Sequence, residues 1–397
     1  MAELRTVRIA DLGRVVTGKT PPSTQPGMFG GDCPFLTPTD IDGVARYIEP
    51  ERFLSPEGRD YQQRLMLPAR AVCTVCIGAT IGKVCMTDRP SFTNQQINSV
   101  IVNEIEHDPF FVYHLLTTLR DELKANAGGA ATPIINKTAF SEIEVSVPPL
   151  LVQRRIAGIL SAYDELIENN QRRIKILEEM ARSLYREWFV HFRFPGHDKV
   201  KMVPSALGPI PQGWEVKPLG ELATVTMGLS PKGDTYNEDE DGTLLVNGPV
   251  EFGDRFTKRV KWTTEPTKFC KEGDLVVCVR GSTTGKYVKS DGVYCLGRGV
   301  CGINSSYQCF IELLFENELP ILLGQTSGST FPSWTGPQLK FHPVLSPTHE
   351  VLARFDALVK PMSTAVLGHS RQIQNLRRTR DLLLPRLLSG QVNIKIQ

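Results

Sequence analysis

From Ile156 to Trp188 the chain places Ile156, Leu160, Tyr163, Ile167, Asn170, Ile174, Leu177, Ala181, Leu184 and Trp188 at alternating steps of four and three. A mean step of 3.5 is the period of a helix that lies along a second helix, not the 3.6 of an ordinary surface helix. Seen over positions 156 to 188, the seam covers about 48 Å at 1.5 Å per residue, long for a helix that serves one globular domain. Pro148-Pro149 precede it and mark where it starts. A shift of 199, from Pro148 to Pro347, reproduces the seam as Phe355, Val359, Met362, Val366, His369, Ile373, Leu376, Arg380, Leu383 and Leu387. Two unrelated amphipathic helices would not be expected to share phase and length in this way. Asn170 and His369 fall at equivalent seam positions, where a polar residue fixes register at some cost in stability. Pro361 departs from the symmetry. It predicts a break or kink, with the regular part of the second helix starting there and Pro361 at the first helical position. Gly390 reads as the C-terminal cap.

The duplication extends beyond the helices. "VCIGATIGKV" (75–84) matches "VCVRGSTTGKY" (277–287) at a shift of 203, and "IADLGRVVTGKTPP" (9–22) matches "LGELATVTMGLSPK" (219–232) at a shift of 210. Both Gly78-x-x-x-Gly82-Lys83 and Gly281-x-x-x-Gly285-Lys286 look like phosphate-binding loops but lack two required features. Three residues separate the glycines where four are needed. Val84 or Tyr287 stands where a hydroxyl would hold magnesium. A strand-like segment follows each, where a phosphate loop needs a helix N-terminus. The stretches therefore predict a tight strand–turn–strand connection with glycines at positive φ.

Between each copy's start and its helix lie short strand-like segments, such as "CPFLTPTDIDG" and "TLLVNGPVEFGD", with helix interspersed at 108–129. The expected class is α+β: two repeated globular units joined by two long helices. The boundaries read 1–147 for the first unit, 148–194 for its helix, 195–213 for a Pro- and Gly-rich linker, 214–346 for the second unit and 347–397 for its helix.

Charge is nearly balanced, at +2 net, so any nucleic-acid surface must come from local clustering. No apolar run approaches the roughly 18 residues of a membrane span, and the N-terminal stretch carries charges throughout. A cytoplasmic protein without a membrane partner is expected. The nine cysteines lie mostly in apolar runs, as buried free thiols do. Cys73-x-x-Cys76 with Cys85 lacks the second ligand pair of a zinc site, so core cysteines on strands are expected and no metal. The chain contains no Asn-Pro-Pro or Asp-Pro-Pro motif of an amino-methyltransferase and no intact nucleotide loop.

Three stretches resemble the DNA-specificity subunit of type I restriction–modification enzymes: "PPLLVQRRIAGILSAYDELIENNQRRIKILEEMARSLYREWF" (148–189), "LGPIPQGWEVKPLGEL" (207–222) and "NLRRTRDLLLPRLLSGQV" (375–392). The resemblance covers the whole chain and is loosest in the globular units, where "GATIGK" and "NQQ" (94–96) carry it. It implies two target-recognition domains, each reading one half of a split double-stranded DNA target. The two helices would pack as an antiparallel coiled coil and set the spacing. Partners would be two modification (methyltransferase) subunits and possibly restriction (motor–nuclease) subunits. S-adenosylmethionine, ATP and magnesium would bind to those partners, with no catalytic residue or cofactor on this chain.

Base edges are read by Arg, Lys, Asn and Gln, and phosphates are met by Lys, Arg, Ser and Thr. Turn positions of those types give the DNA candidates. In the first unit they are Lys19, Thr20, Thr80, Lys83, Asn94, Gln95, Gln96, Asn136 and Lys137. In the second they are Lys232, Arg280, Ser282, Thr283, Lys286, Arg298, Ser329 and Thr330. Arg172, Arg173, Arg377 and Arg378 are expected on exposed helix faces. The competing reading is a coiled-coil scaffold joining two peptide- or ligand-binding domains without DNA recognition.

Overall fold

A computed structural model describes residues 4–22, 24–128, 133–326 and 332–392. The duplication written in the sequence is repeated strand for strand. In the first copy Gly13–Thr17, Ile97–Val102, Val72–Val75 and Val84–Met86 form a four-stranded antiparallel sheet in that order. In the second, Thr224–Met227, Val300–Asn304, Leu275–Cys278 and Tyr287–Lys289 do the same. Each copy has a second sheet with one parallel pair: Phe29–Leu36 beside Phe92–Thr93, and Thr243–Val246 beside Tyr294–Leu296. A two-stranded ladder links the start of each copy to the segment before its long helix, Arg5–Arg8 with Glu144–Val147 and Glu215–Pro218 with Pro343–Ser346.

The strand–turn–strand expectation holds in both copies. Gly78, Gly82, Gly281 and Gly285 all have φ between 70° and 89°. Val75 N–H donates to the Lys83 carbonyl at 2.9 Å, and Cys278 N–H to the Lys286 carbonyl at 2.8 Å. These are hairpins closed by left-handed glycines, with no helix behind them to face a phosphate. Cys73 and Cys85 are cross-strand partners on one sheet face, whereas Cys76 joins the core on the other face, so the three thiols do not converge.

The first long helix runs Leu150–Tyr185, capped by the Pro149 carbonyl, and continues as a wider turn over Arg186–Val190. The second runs His349–Leu388. Pro361 therefore lies inside the helix, against the expectation that the helix begins there. Pro361 and Ala357, whose carbonyl the proline cannot pair with, are both exposed, so the break in the hydrogen-bond ladder falls on the solvent face of the helix. The helix ends as expected: Gly390 has φ 71° and its N–H reaches the Leu387 carbonyl.

Chain contacts divide the molecule into one unit of residues 1–173 with 369–397 and another of 174–368, so each long helix contributes to both units. Within the first unit, Ile156 and Leu160 share a core with Leu387, Phe111, Leu116 and Phe140, and Arg380 meets Asp164. The later residue of one helix thus faces the earlier residue of the other, which is antiparallel pairing. Within the second unit Tyr185 and Trp188 pack on Phe355, with Ala181 near Met362, in the same antiparallel sense. The seam residues Ile156, Leu160, Ile167, Asn170, Ile174, Val359, Val366 and Ile373 are buried, and Tyr163, Leu177, Leu184, Met362, His369, Leu376 and Leu383 are half-buried. Arg172, Arg173 and Arg378 are exposed as expected, whereas Arg377 is half-buried.

Charges also join helix to sheet domain in each unit. In the first, Asp164 is 4% exposed, with Arg380 Nη1 at 2.7 Å and His114 at 3.3 Å. Next to it, Arg46 reaches Glu168 at 3.2 Å and lies over the Tyr47 and Phe110 rings. In the second unit the pairs are Arg255–Glu178 and Arg182–Glu316, and Lys289, which pairs with Glu312 inside the domain, donates to Ser363 Oγ of the second long helix at 2.8 Å.

Candidate nucleic-acid interface

Four loops of the first unit are tied edge to edge by backbone hydrogen bonds. Lys19 N–H donates to the Thr93 carbonyl (3.0 Å), Cys76 to Gln96 (2.9 Å), Gly78 to Pro133 (2.9 Å) and Ile135 to Cys76 (2.9 Å). The second unit repeats each bond. Leu229 donates to Leu296 (2.8 Å), Val279 to Gly299 (2.9 Å), Gly281 to Pro332 (3.0 Å) and Trp334 to Val279 (3.0 Å). One glycine in each copy permits the closest approach. A Cβ on Gly18 would sit 2.1 Å from the Thr93 carbonyl oxygen, and on Gly228 2.1 Å from that of Gly297. Loops held by backbone bonds on a sheet give side chains a fixed origin, which base reading requires.

The bonds set which positions correspond: Lys19 with Leu229, Thr20 with Ser230, Ile77 with Arg280, Lys83 with Lys286, Gln95 with Arg298, and Asn136 with Thr335. The frame brings most of the sequence candidates together, but their side chains are not equally free. Asn94 is buried, and its Oδ1 accepts from Gln96 N–H. Gln96 is half-buried and takes up Asn94 Nδ2. Asn136 caps the helix Lys137–Glu142 through Ala139 N–H at 2.9 Å, and Thr335 does the same in the second copy. Lys83 is half-buried and donates to the Ile41 carbonyl at 2.9 Å. Thr20 donates from N–H and Oγ1 to Gln95 Oε1. Thr80 and Thr283 are half-buried within the turns.

Exposed in the first unit are Lys19, over the Tyr61 ring at 5.4 Å, Gln95, Lys137 and the helix-capping Asn136. Exposed in the second are Lys232, Arg280, Ser282, Lys286 and Arg298. The four cations of that set make no ion pair among the described residues. Ser329 and Thr330 lie outside the described residues. Sequence reading had no access to the Asp164–Arg380–His114 and Arg46–Glu168 cluster, whose partners lie up to 216 positions apart. A groove of about 600 Å³ in the second unit is lined by Glu178, Arg182, Arg255, Lys289, Glu312 and Glu316. Those six charges pair with one another, and Asp254 adds a further, exposed carboxylate to the lining.

Residues 1–179 match the family model described as the type I restriction modification DNA specificity domain. The MjaIX type I restriction enzyme specificity subunit of Methanocaldococcus jannaschii is 25% identical over 98% of this chain and 93% of its own length. The chain is thus similar to type I specificity subunits along nearly its whole length, and over residues 1–179 it matches their domain model. The HindI specificity subunit of Haemophilus influenzae is 33% identical over 41% of this chain and 37% of its own length. The crystal structure of a type I restriction–modification S subunit from M. genitalium shares the fold. Its TM-score is 0.64 with 14% identity, and the match covers 97% of this chain and 96% of that chain. No helix among the described residues is long and apolar enough to cross a membrane.

Proposed function

We infer that this chain is the DNA-reading component of a type I restriction–modification complex, in which each sheet domain reads one half of a split, asymmetric target. The observation that carries this is the loop frame built twice with the same hydrogen bonds and different outward side chains. Two copies of one reader with different tips address two different half-sites. The paired helices fix the spacing between the halves, and half-sites on one face of DNA lie about 34–36 Å apart. Lys19, Lys137, Lys232, Arg280, Lys286 and Arg298 supply the outward cations and base-edge donors.

Methyl transfer and ATP-driven work then belong to two modification subunits and to restriction subunits, which hold S-adenosylmethionine, ATP and magnesium. The test is plasmid methylation by the purified chain alone, by the modification subunits alone, and by the assembly. Only the assembly should methylate, at one motif, and its DNA affinity should fall steeply between 50 and 200 mM salt, as phosphate neutralisation demands. Methylation by the chain alone, or affinity indifferent to salt, would reject the reading. The scaffold alternative predicts that second outcome.

A further inference from the structure

The loop between Tyr294–Leu296 and Val300–Asn304 is three residues long, Gly297-Arg298-Gly299. Its counterpart between Phe92–Thr93 and Ile97–Val102 is Asn94-Gln95-Gln96. In each, the middle side chain points into solvent while its neighbours are held. A Cβ on Gly297 or Gly299 would fall 2.1 or 2.2 Å from Asn247 atoms, so the Arg298 loop lies flat against Asn247. Arg298 N–H donates to Ser230 Oγ at 3.0 Å, Gly297 N–H to the Val246 carbonyl at 2.8 Å, and Val300 N–H to the Gly297 carbonyl at 3.1 Å. The guanidinium is thus carried on a backbone fixed on both sides and makes no ion pair among the described residues. Phosphate contact needs only charge within reach. A rigid stalk under a planar, two-pronged donor is what reading the O6 and N7 acceptors of guanine needs.

Gln95 stands at the same place with a different chemistry. Thr20 N–H is a donor only, so the Gln95 atom facing it is the carbonyl oxygen, which Thr20 Oγ1 also engages at 2.8 Å. That leaves the amide NH₂ facing out. Reading adenine in two-pronged fashion needs the carbonyl as well. A lone donor is satisfied by any base edge offering an acceptor there, such as N7 of either purine.

We propose that Arg298 specifies a guanine in the half-site taken by the second unit, and that Gln95 occupies the matching place in the first unit with lower stringency. This rests on the DNA-reading function above. The test uses the assembly of this chain with its modification subunits and a panel of duplexes in which each target base pair is replaced in turn. In the unaltered assembly one position of the second half should reject all replacements of guanine by about 10- to 100-fold, the range for a two-pronged contact. Arg298→Lys keeps the charge but loses the fork, and Arg298→Gln loses both. Each should flatten discrimination at that one position and leave the first half unchanged. Gln95→Arg should sharpen one position of the first half toward guanine and leave the second half unchanged. Both Arg298 variants weakening every duplex equally, with all base preferences kept, would make Arg298 a phosphate contact and overturn the proposal. So would full wild-type discrimination in Arg298→Lys. If a variant does not methylate, the duplex panel still reads its preference by binding. An unaltered assembly with no split target at all would reject the underlying function instead.

Discussion

Asp164 is a carboxylate taken almost wholly out of water, and its burial raises its pKa while the adjacent Arg380 guanidinium opposes that rise. Removing one partner of such a pair strands the other charge, at a cost of about 3–5 kcal/mol. Arg380→Ala should therefore lower the urea midpoint strongly at pH 8. Without the guanidinium the Asp164 pKa rises further. A raised folded-state pKa gives stability that is present at low pH and lost as pH climbs through it. The deficit of Arg380→Ala should accordingly shrink as the pH is lowered toward 5; an unchanged deficit across that range would mean that the carboxylate stays solvated. His114 behaves oppositely. Burial, with Arg380 and Arg46 close by, pushes its pKa down to about 3, outweighing the Asp164 oxygen at 3.3 Å, so it folds in neutral. Between about 6.5 and about 3 the unfolded chain holds a proton that the native chain does not, and stability drains away as pH falls through that window. His114→Gln should flatten the acid side of the stability profile measured by denaturant midpoints; an identical acid slope would contradict the burial argument. None of this cluster is legible in sequence. Asp164 lies one residue off the seam in a polar run, and Arg380 reads as a lapse in the apolar pattern until its partner is seen.

At the scale of elements, the seams were legible because a seven-residue period survives without any knowledge of tertiary contacts, and the structure buries or half-buries the positions it marks. The hairpins were legible too, because paired glycines four apart with a lysine after them repeat between strand-like runs. The order of strands was not: a parallel pair such as Thr243–Val246 beside Tyr294–Leu296 is decided by contacts about 50 residues apart that leave no local pattern. Pro361 was misread because helix-breaking rules assume that the lost hydrogen bond has no substitute, and on the solvent face of a helix the freed carbonyl stays open to water. Its cost remains. Proline in a helix interior is about 3 kcal/mol worse than alanine, so Pro361→Ala should raise the urea midpoint, by up to that amount, with the DNA target unchanged. A fall in stability would show that the proline shapes the helix for its packing. Of the site, the loops were legible and the division of labour inside them was not. Asn94, Asn136 and Lys83 are the right residue types for DNA, but each already has a backbone partner.

Across the whole molecule, one reader built twice and tipped differently predicts a target in two unequal parts. The frame bonds are equivalent, yet Ile77 faces Arg280 in the alignment of copies, and Gln95 faces Arg298. At these frame positions the second unit brings two arginines where the first brings none, so the second half-site should be the richer in guanine contacts. The most direct measurement is single-molecule mapping of methylated bases in a methylation-free host carrying this chain with its modification subunits. The expected result is one motif made of two different short sequences separated by a fixed unread gap, absent when this chain is omitted. A continuous motif, a palindrome, or methylation that persists without the chain would contradict it.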